Sequence, residues 1–144
     1  CGKILFMMLR FLIYGLLGWG MEIIWTGMGS AISGDPRLQA TTYLWMFPIY
    51  GLAVFLEPLH DLIRDYWWYI RGVVWVIIIF AIEYVTGGLI RIIVGCSPWD
   101  YSATQWNISG LIRLDYAPVW FIVGMMFEQV HNYMARLFAF PARQ

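Results

Sequence analysis

Charge is scarce in this 144-residue chain: Asp, Glu, Lys and Arg together make up 12% of it, half of what a soluble domain carries. So few charges cannot solvate a globule of this size, and the composition calls for a bilayer as solvent. The nine acidic and nine basic residues cancel, so there is no basic field to hold nucleic acid. Cysteine is nearly missing. Cys1 and Cys96 are too few for a disulfide framework or a zinc cluster. There is no Gly-rich phosphate loop, Walker motif, Ser-His-Asp order or Cys-His zinc spacing. Without a nucleotide site, the chain is not expected to be an ATP-driven pump by itself.

What remains is apolar and aromatic. Hydrophobic residues make up 61%, with nine each of Trp, Tyr and Phe, the excess expected at membrane interfaces. Four apolar segments stand out, at about 4–26, 42–62, 72–94 and 112–138. They predict a single all-α transmembrane domain over 1–144, a four-helix up-down-up-down bundle in a multi-pass integral membrane protein. The first connection, 27–41, has the turn composition Gly29, Ser30, Ser33, Gly34, Asp35, Pro36. Pro48 and Pro58 interrupt the second segment, and each removes a helical N–H. Tyr66-Trp67-Trp68-Tyr69 reads as an interfacial belt in a tight return. Four spans put Lys3, Arg10, Arg64, Arg71, Arg136 and Arg143 on one side and Arg37, Arg91 and Arg113 on the other, which predicts both termini in the cytoplasm. Cys1 and Cys96 would then lie on opposite faces and could not pair. Cys1 itself reads as a trimmed or lipidated terminus.

Each segment carries one glutamate: Glu22, Glu57, Glu83 and Glu128. Acids in spans are costly and are functional candidates by default. A small residue lies one turn from each (Gly18, Ala53, Gly87, Gly124), which would let backbones approach and the carboxylates converge. His60 and His131, the only histidines, each follow a glutamate by three positions, so each pair shares a helix face. Two single glutamates plus two Glu-x-x-His pairs are the ligand inventory of carboxylate-bridged di-iron and di-manganese bundles. The candidate metal set is therefore Glu22, Glu57, His60, Glu83, Glu128 and His131, holding two iron or manganese ions and oxidising a lipophilic molecule from the bilayer. Tyr50 and Tyr84 are candidate neighbours of that site, with core packing as the alternative. One objection is topological: the 62–72 connection is too short to recross the bilayer, so the two Glu-x-x-His helices run parallel, unlike those of soluble di-iron bundles. Other readings stay open. The acids can form a proton-sharing network in a permease-like transport component, or serve separate structural roles in a subunit of a larger membrane complex. The two histidines alone could ligate a haem. Trp99, Asp100, Tyr101 and Asn107 mark a loop motif, with Asp100 capping backbone amides and the aromatics anchoring at headgroup depth.

A weak repeat is also visible. Each half reads as a helix with one Glu, a polar loop, then a helix with Pro, Glu and His, as parallel repeats would. Five motifs in order resemble a known group: Gly18-Trp19-Gly20-Met21-Glu22, Pro48-Ile49-Tyr50-Gly51, Glu83-Tyr84-Val85-Thr86-Gly87, Trp99-Asp100-Tyr101-Ser102, and Asn107-Ile108-Ser109-Gly110-Leu111-Ile112. They resemble the CmpB-like membrane family labelled putative ABC-transporter type IV, and the stretch 96–129 is most similar to its transmembrane protein 229 branch. The resemblance implies that the four glutamates and the Trp99-Asp100-Tyr101 loop are family features. It does not extend to His60 and His131.

Overall fold

Apolar runs of this length can satisfy their backbone polar groups without water only by forming helices. Helices account for most of the computed structural model, which describes residues 2–139; Cys1 and Arg143 lie outside them. The chain divides into two compact units, Cys1–Pro58 and Leu59–Gln144.

The first unit pairs a long helix α1 (Gly2–Ile32) with an interrupted second span. That span consists of α2 (Met46–Gly51), a 3-10 stretch Leu52–Leu56, and α3 (Glu57–Ile63). The break falls where proline predicted it. Pro58 has no N–H for the carbonyl of Val54, and the turn ahead of it tightens to 3-10. Two glycines of α1 let the second span in: a Cβ on Gly15 would strike Phe47, and one on Gly18 would strike Tyr50. Across the pair, Gly51 lies under the Phe11 ring.

The end of α1 departs from expectation. The connection was expected to begin at Gly27, yet the helix runs on to Ile32 and turns only at Gly34, whose φ is +80°. The reason is tertiary. Residues 38–41 lie back along the helix, with Leu38 and Ala40 against Gly27. The Thr26 hydroxyl donates to the Thr41 carbonyl at 2.9 Å and accepts from the Thr41 N–H at 3.1 Å. Glycine thus works here as a contact surface and breaks nothing.

The second unit takes the rest of α3 from Leu59, then α4 (Trp68–Val94), a β-hairpin and α5 (Ala117–Ala139). Helix α4 ends at Gly95, φ +83°, a left-handed C-cap. Helices α4 and α5 pack closely because Gly72 lies under Phe121 and Gly124 under Trp75. The fourth apolar segment, expected from 112, becomes helical only at Ala117. Its first residues form strand β2 (Ile112–Arg113), paired antiparallel with β1 (Asn107–Ile108). Ser109 and Gly110 between them both have positive φ, and Leu111 N donates to Ile108 O at 2.9 Å, the geometry of a mirror-image hairpin turn. A 3-10 turn, Leu114–Tyr116, leads into α5, where Pro118 sits in the first turn and needs no N–H.

Among the described residues, three stretches are long and apolar enough to cross a membrane: Gly2–Ile32, Met46–Ile63 and Trp68–Val94. Helix α5, at 23 residues, has the length, but Glu128, Gln129, His131 and Asn132 dilute its apolar character. Large aliphatic side chains, among them Ile77, Leu89, Ile92 and Ile93, stand exposed on α4, as acyl chains would require. Tyr66, Trp67, Trp68 and Tyr69 are exposed too, as an interfacial belt should be.

Candidate functional site

Within the first unit, Glu57 opens α3 directly after the 3-10 stretch, and α1 supplies its partners. Arg10 Nη1 lies 2.8 Å from Glu57 Oε2, and the Tyr14 hydroxyl donates to Oε1 at 2.9 Å. Arg10 and Tyr14 are one turn apart and share a helix face. Both carboxylate oxygens are therefore engaged by one turn of α1.

The second unit contains the same device. Glu128, on α5, is only 1% exposed. Arg71 Nε donates to both of its oxygens, at 3.0 and 3.1 Å, while Nη2 lies 3.0 Å from Oε2. Trp75 Nε1 donates to Oε1 at 2.8 Å. Arg71 and Trp75 again stand one turn apart on a single helix. Arg71 also reaches the main chain, its Nη1 donating to the carbonyls of Arg64 and Tyr66, both at 3.0 Å. The guanidinium thereby closes the turn between α3 and α4 while it neutralises the buried acid. That fork of five donors is something lysine could not supply.

The histidines meet in the second unit. His60 and His131 sit edge to face with ring centroids 5.0 Å apart, 3% and 6% exposed. Their contacts are reciprocal. His60 Nε2 lies 3.3 Å from Asn132 Oδ1, and His131 Nε2 lies 3.7 Å from Asp61 Oδ1. Each imidazole thus faces the residue that follows the other histidine. His60 Nδ1 points toward Glu128 Oε1 at 3.6 Å, too long for a hydrogen bond. One ligand atom from each of His60, Asp61 and His131 falls within 4.8 Å of the others.

The four glutamates fare differently from the histidines. In the first unit Glu22 lies beside the hydroxyls of Tyr50 and Thr42, two helical turns, roughly 12 Å, beyond Tyr14 and its Glu57 contact. In the second unit Glu83 is buried, again two turns and roughly 12 Å beyond Trp75 and its Glu128 contact. Neither unit brings its two acids together. Three of the four small residues that were expected to let carboxylates converge make room for large side chains: Gly18 for Tyr50, Gly124 for Trp75, and Gly87 for Trp99 and Leu111. Tyr50 does lie near Glu22. Tyr84, expected beside Glu83, is 44% exposed.

The loop motif locks the hairpin. Asp100 Oδ1 accepts from the Ser102 N–H at 2.8 Å and its hydroxyl at 2.5 Å, and these bonds hold the Asp100 carboxyl below the usual aspartate range. Asp115 is likewise held down by hydrogen bonds from Arg113, at 2.8 to 3.0 Å. Asn107 bridges Thr104 O and Gly110 N. Trp99 was expected as a headgroup anchor, but it is buried with its Nε1 donating to Leu111 O at 3.0 Å.

Sequence reading missed the partners of the acids. Arg10 and Arg71 entered only as topology charges, and Tyr14, Trp75, Asp61 and Asn132 not at all. A usable signal exists: Arg, then an aromatic four residues on, then Glu eight further, in Arg10-Tyr14-Glu22 and again in Arg71-Trp75-Glu83.

Long apolar helices with exposed aliphatic side chains are the marks of an integral membrane protein. The chain belongs to the family described as "Putative ABC-transporter type IV", whose sequence profile matches residues 9–143. No solved structure matches it.

Proposed function

We propose that this chain is a permease-like membrane component that moves protons or cations, with four spans and both termini in the cytoplasm. The observation that carries the reading is a doubled helical hairpin. In each copy the first helix bears Arg, an aromatic four residues on and Glu twelve on, and the second bears Glu-x-x-His. Also in each copy, the arginine and aromatic of the first helix hold the glutamate of the second. Parallel repeats of this kind build transporters, whose ion sites lie where intramembrane acids are buried. Support for α5 as the fourth span comes from its buried positions Gly124, Glu128, His131 and Met134. They fall three or four residues apart and gather its charge on one face. Lys3, Arg10, Arg64, Arg71, Arg136 and Arg143 against Arg37, Arg91 and Arg113 favour this orientation.

Arginine matches the charge of Glu57 and Glu128, so these two hold the hairpins together. The carriers we assign are Glu22 and Glu83, at equivalent registers of the two first helices. The family description names an ABC-type transporter. This sequence has no phosphate loop, so ATP hydrolysis would take place outside residues 1–144. The alternative of two iron or manganese ions oxidising a lipophilic substrate lacks comparable support, because Arg10, Tyr14, Arg71 and Trp75 occupy the oxygens of two of its four glutamates.

The test is proton flux into pyranine-loaded proteoliposomes under an imposed potassium diffusion potential. Uptake should exceed that of empty vesicles and fall in Glu22→Gln and Glu83→Gln. Flux equal to empty vesicles would overturn the proposal. If purified protein then brought down a stoichiometric partner, the reading would shift to a structural subunit.

A further inference from the structure

We propose that His60, Asp61 and His131, backed by Glu128, form a binding site for one divalent transition-metal ion at the α3–α4 end of the second unit. The site does not depend on the transport reading and would stand in a protein that transports nothing.

The first argument is hydrogen-bond accounting. His60 is 3% exposed, and both its ring nitrogens face oxygens: Nε2 toward Asn132 Oδ1 at 3.3 Å, Nδ1 toward Glu128 Oε1 at 3.6 Å. A neutral imidazole has one N–H. In that neutral form one nitrogen aims a lone pair at an oxygen acceptor, and Nδ1 has no hydrogen bond. A metal ion on Nε2 removes the conflict. The proton then resides on Nδ1, facing the Glu128 carboxylate 3.6 Å away, and a small rotation of the ring would complete the carboxylate–histidine–metal relay that fixes tautomer and ring orientation in metalloproteins. Arg71 and Trp75 already hold that carboxylate, so the backing group is rigid before any metal arrives.

The second argument is geometric. Donors on a tetrahedral ion at about 2.0–2.1 Å stand roughly 3.4 Å apart. His131 Nε2 and Asp61 Oδ1 are 3.7 Å apart, and the three ligand atoms fit within 4.8 Å. Small side-chain rotations close the shell. Asn132 Oδ1, already 3.3 Å from His60 Nε2, is placed to serve as an oxygen ligand.

The third argument is access. The histidines are buried, while Asp61 is exposed, so an ion can enter past the carboxylate and lose its water in steps. Arg64 Nη1 stands 3.8 Å from Asp61, but exposed pairs of this kind are weak and yield to a dication. Two imidazoles and one carboxylate suit zinc, cobalt or iron(II) over magnesium or calcium.

The experiment uses full-length, tag-free protein in detergent, stripped with chelator and titrated with cobalt(II) chloride. The proposal expects about one cobalt per chain, with the visible absorption of nitrogen–oxygen coordination. His60→Ala and His131→Ala should abolish it, and Asp61→Asn should weaken it at least 10-fold, the scale of a lost supporting carboxylate. Asn132→Asp adds a carboxylate and should tighten binding, which guards against losses that merely reflect misfolding. Absence of binding in the wild type, or binding unchanged in both histidine variants, overturns the proposal.

Discussion

Replacing Arg71 with methionine asks how much of the second unit depends on one buried charge. Methionine keeps most of the chain length and removes the guanidinium. Glu128, 1% exposed, would then keep only the Trp75 N–H as a donor. Removing one partner of a buried pair costs about 3–5 kcal/mol, chiefly because the other charge is left uncompensated. The carbonyls of Arg64 and Tyr66 lose their donor as well, at about 1 kcal/mol each. Total stability of a domain is commonly 5–15 kcal/mol, so Arg71→Met should lower the melting temperature by 10 °C or more, at about 2–4 °C per kcal/mol. The decisive comparison is the double variant Arg71→Met/Glu128→Met. It removes the orphan charge, so it should recover about 2–3 kcal/mol of the loss. Recovery stays partial because the carbonyls and Trp75 Nε1 still lack partners. Thermal unfolding in detergent, followed by circular dichroism, reads all three proteins. If the double variant is as unstable as the single one, the uncompensated-charge argument is wrong.

Further outcomes follow from the same geometry. The first unit should repeat the pattern, with Arg10→Met destabilising and Arg10→Met/Glu57→Met less so; equal losses would mean that the two hairpins are held differently. Gly124→Ala places a methyl against Trp75 and should cost about 1–3 kcal/mol, whereas Gly20→Ala, inside α1, meets nothing within 4 Å and should stabilise by about 0.5–1 kcal/mol. Asp100 has a folded pKa below its unfolded one, so its contribution is complete above the ordinary aspartate value of about 3.9 and fades as pH falls through the lower folded value. Asp100→Asn should therefore lower the melting temperature at pH 7, and the gap should shrink as pH falls below about 3.9; a gap that stayed constant into acid would assign the loss to another cause. Cys96 is free and exposed. Under the proposed orientation a membrane-impermeant maleimide should label it from outside intact cells, and labelling only after lysis would reverse the topology.

The sequence by itself settled the solvent. Twelve per cent charge and runs of about twenty apolar residues leave no other environment for the backbone, and helices follow from that alone. It also located the proline break ahead of Glu57, because a missing N–H is a local fact. Helix ends were less legible. Gly27 looks like a terminator until Leu38 and Ala40 pack on it, and Ile112 and Arg113 look like the start of a span until the hairpin pairs them with Ile108 and Asn107. The four glutamates could be counted, but their partners could not be named. Arg71 meets Glu128 across 57 positions, and Tyr14 meets Glu57 across 43. Spacing along a helix says which residues share a face, not which face another helix will meet. Packing made that choice: small residues admitted rings, rings set the register, and the register set each arginine on a carboxylate and each imidazole opposite the other.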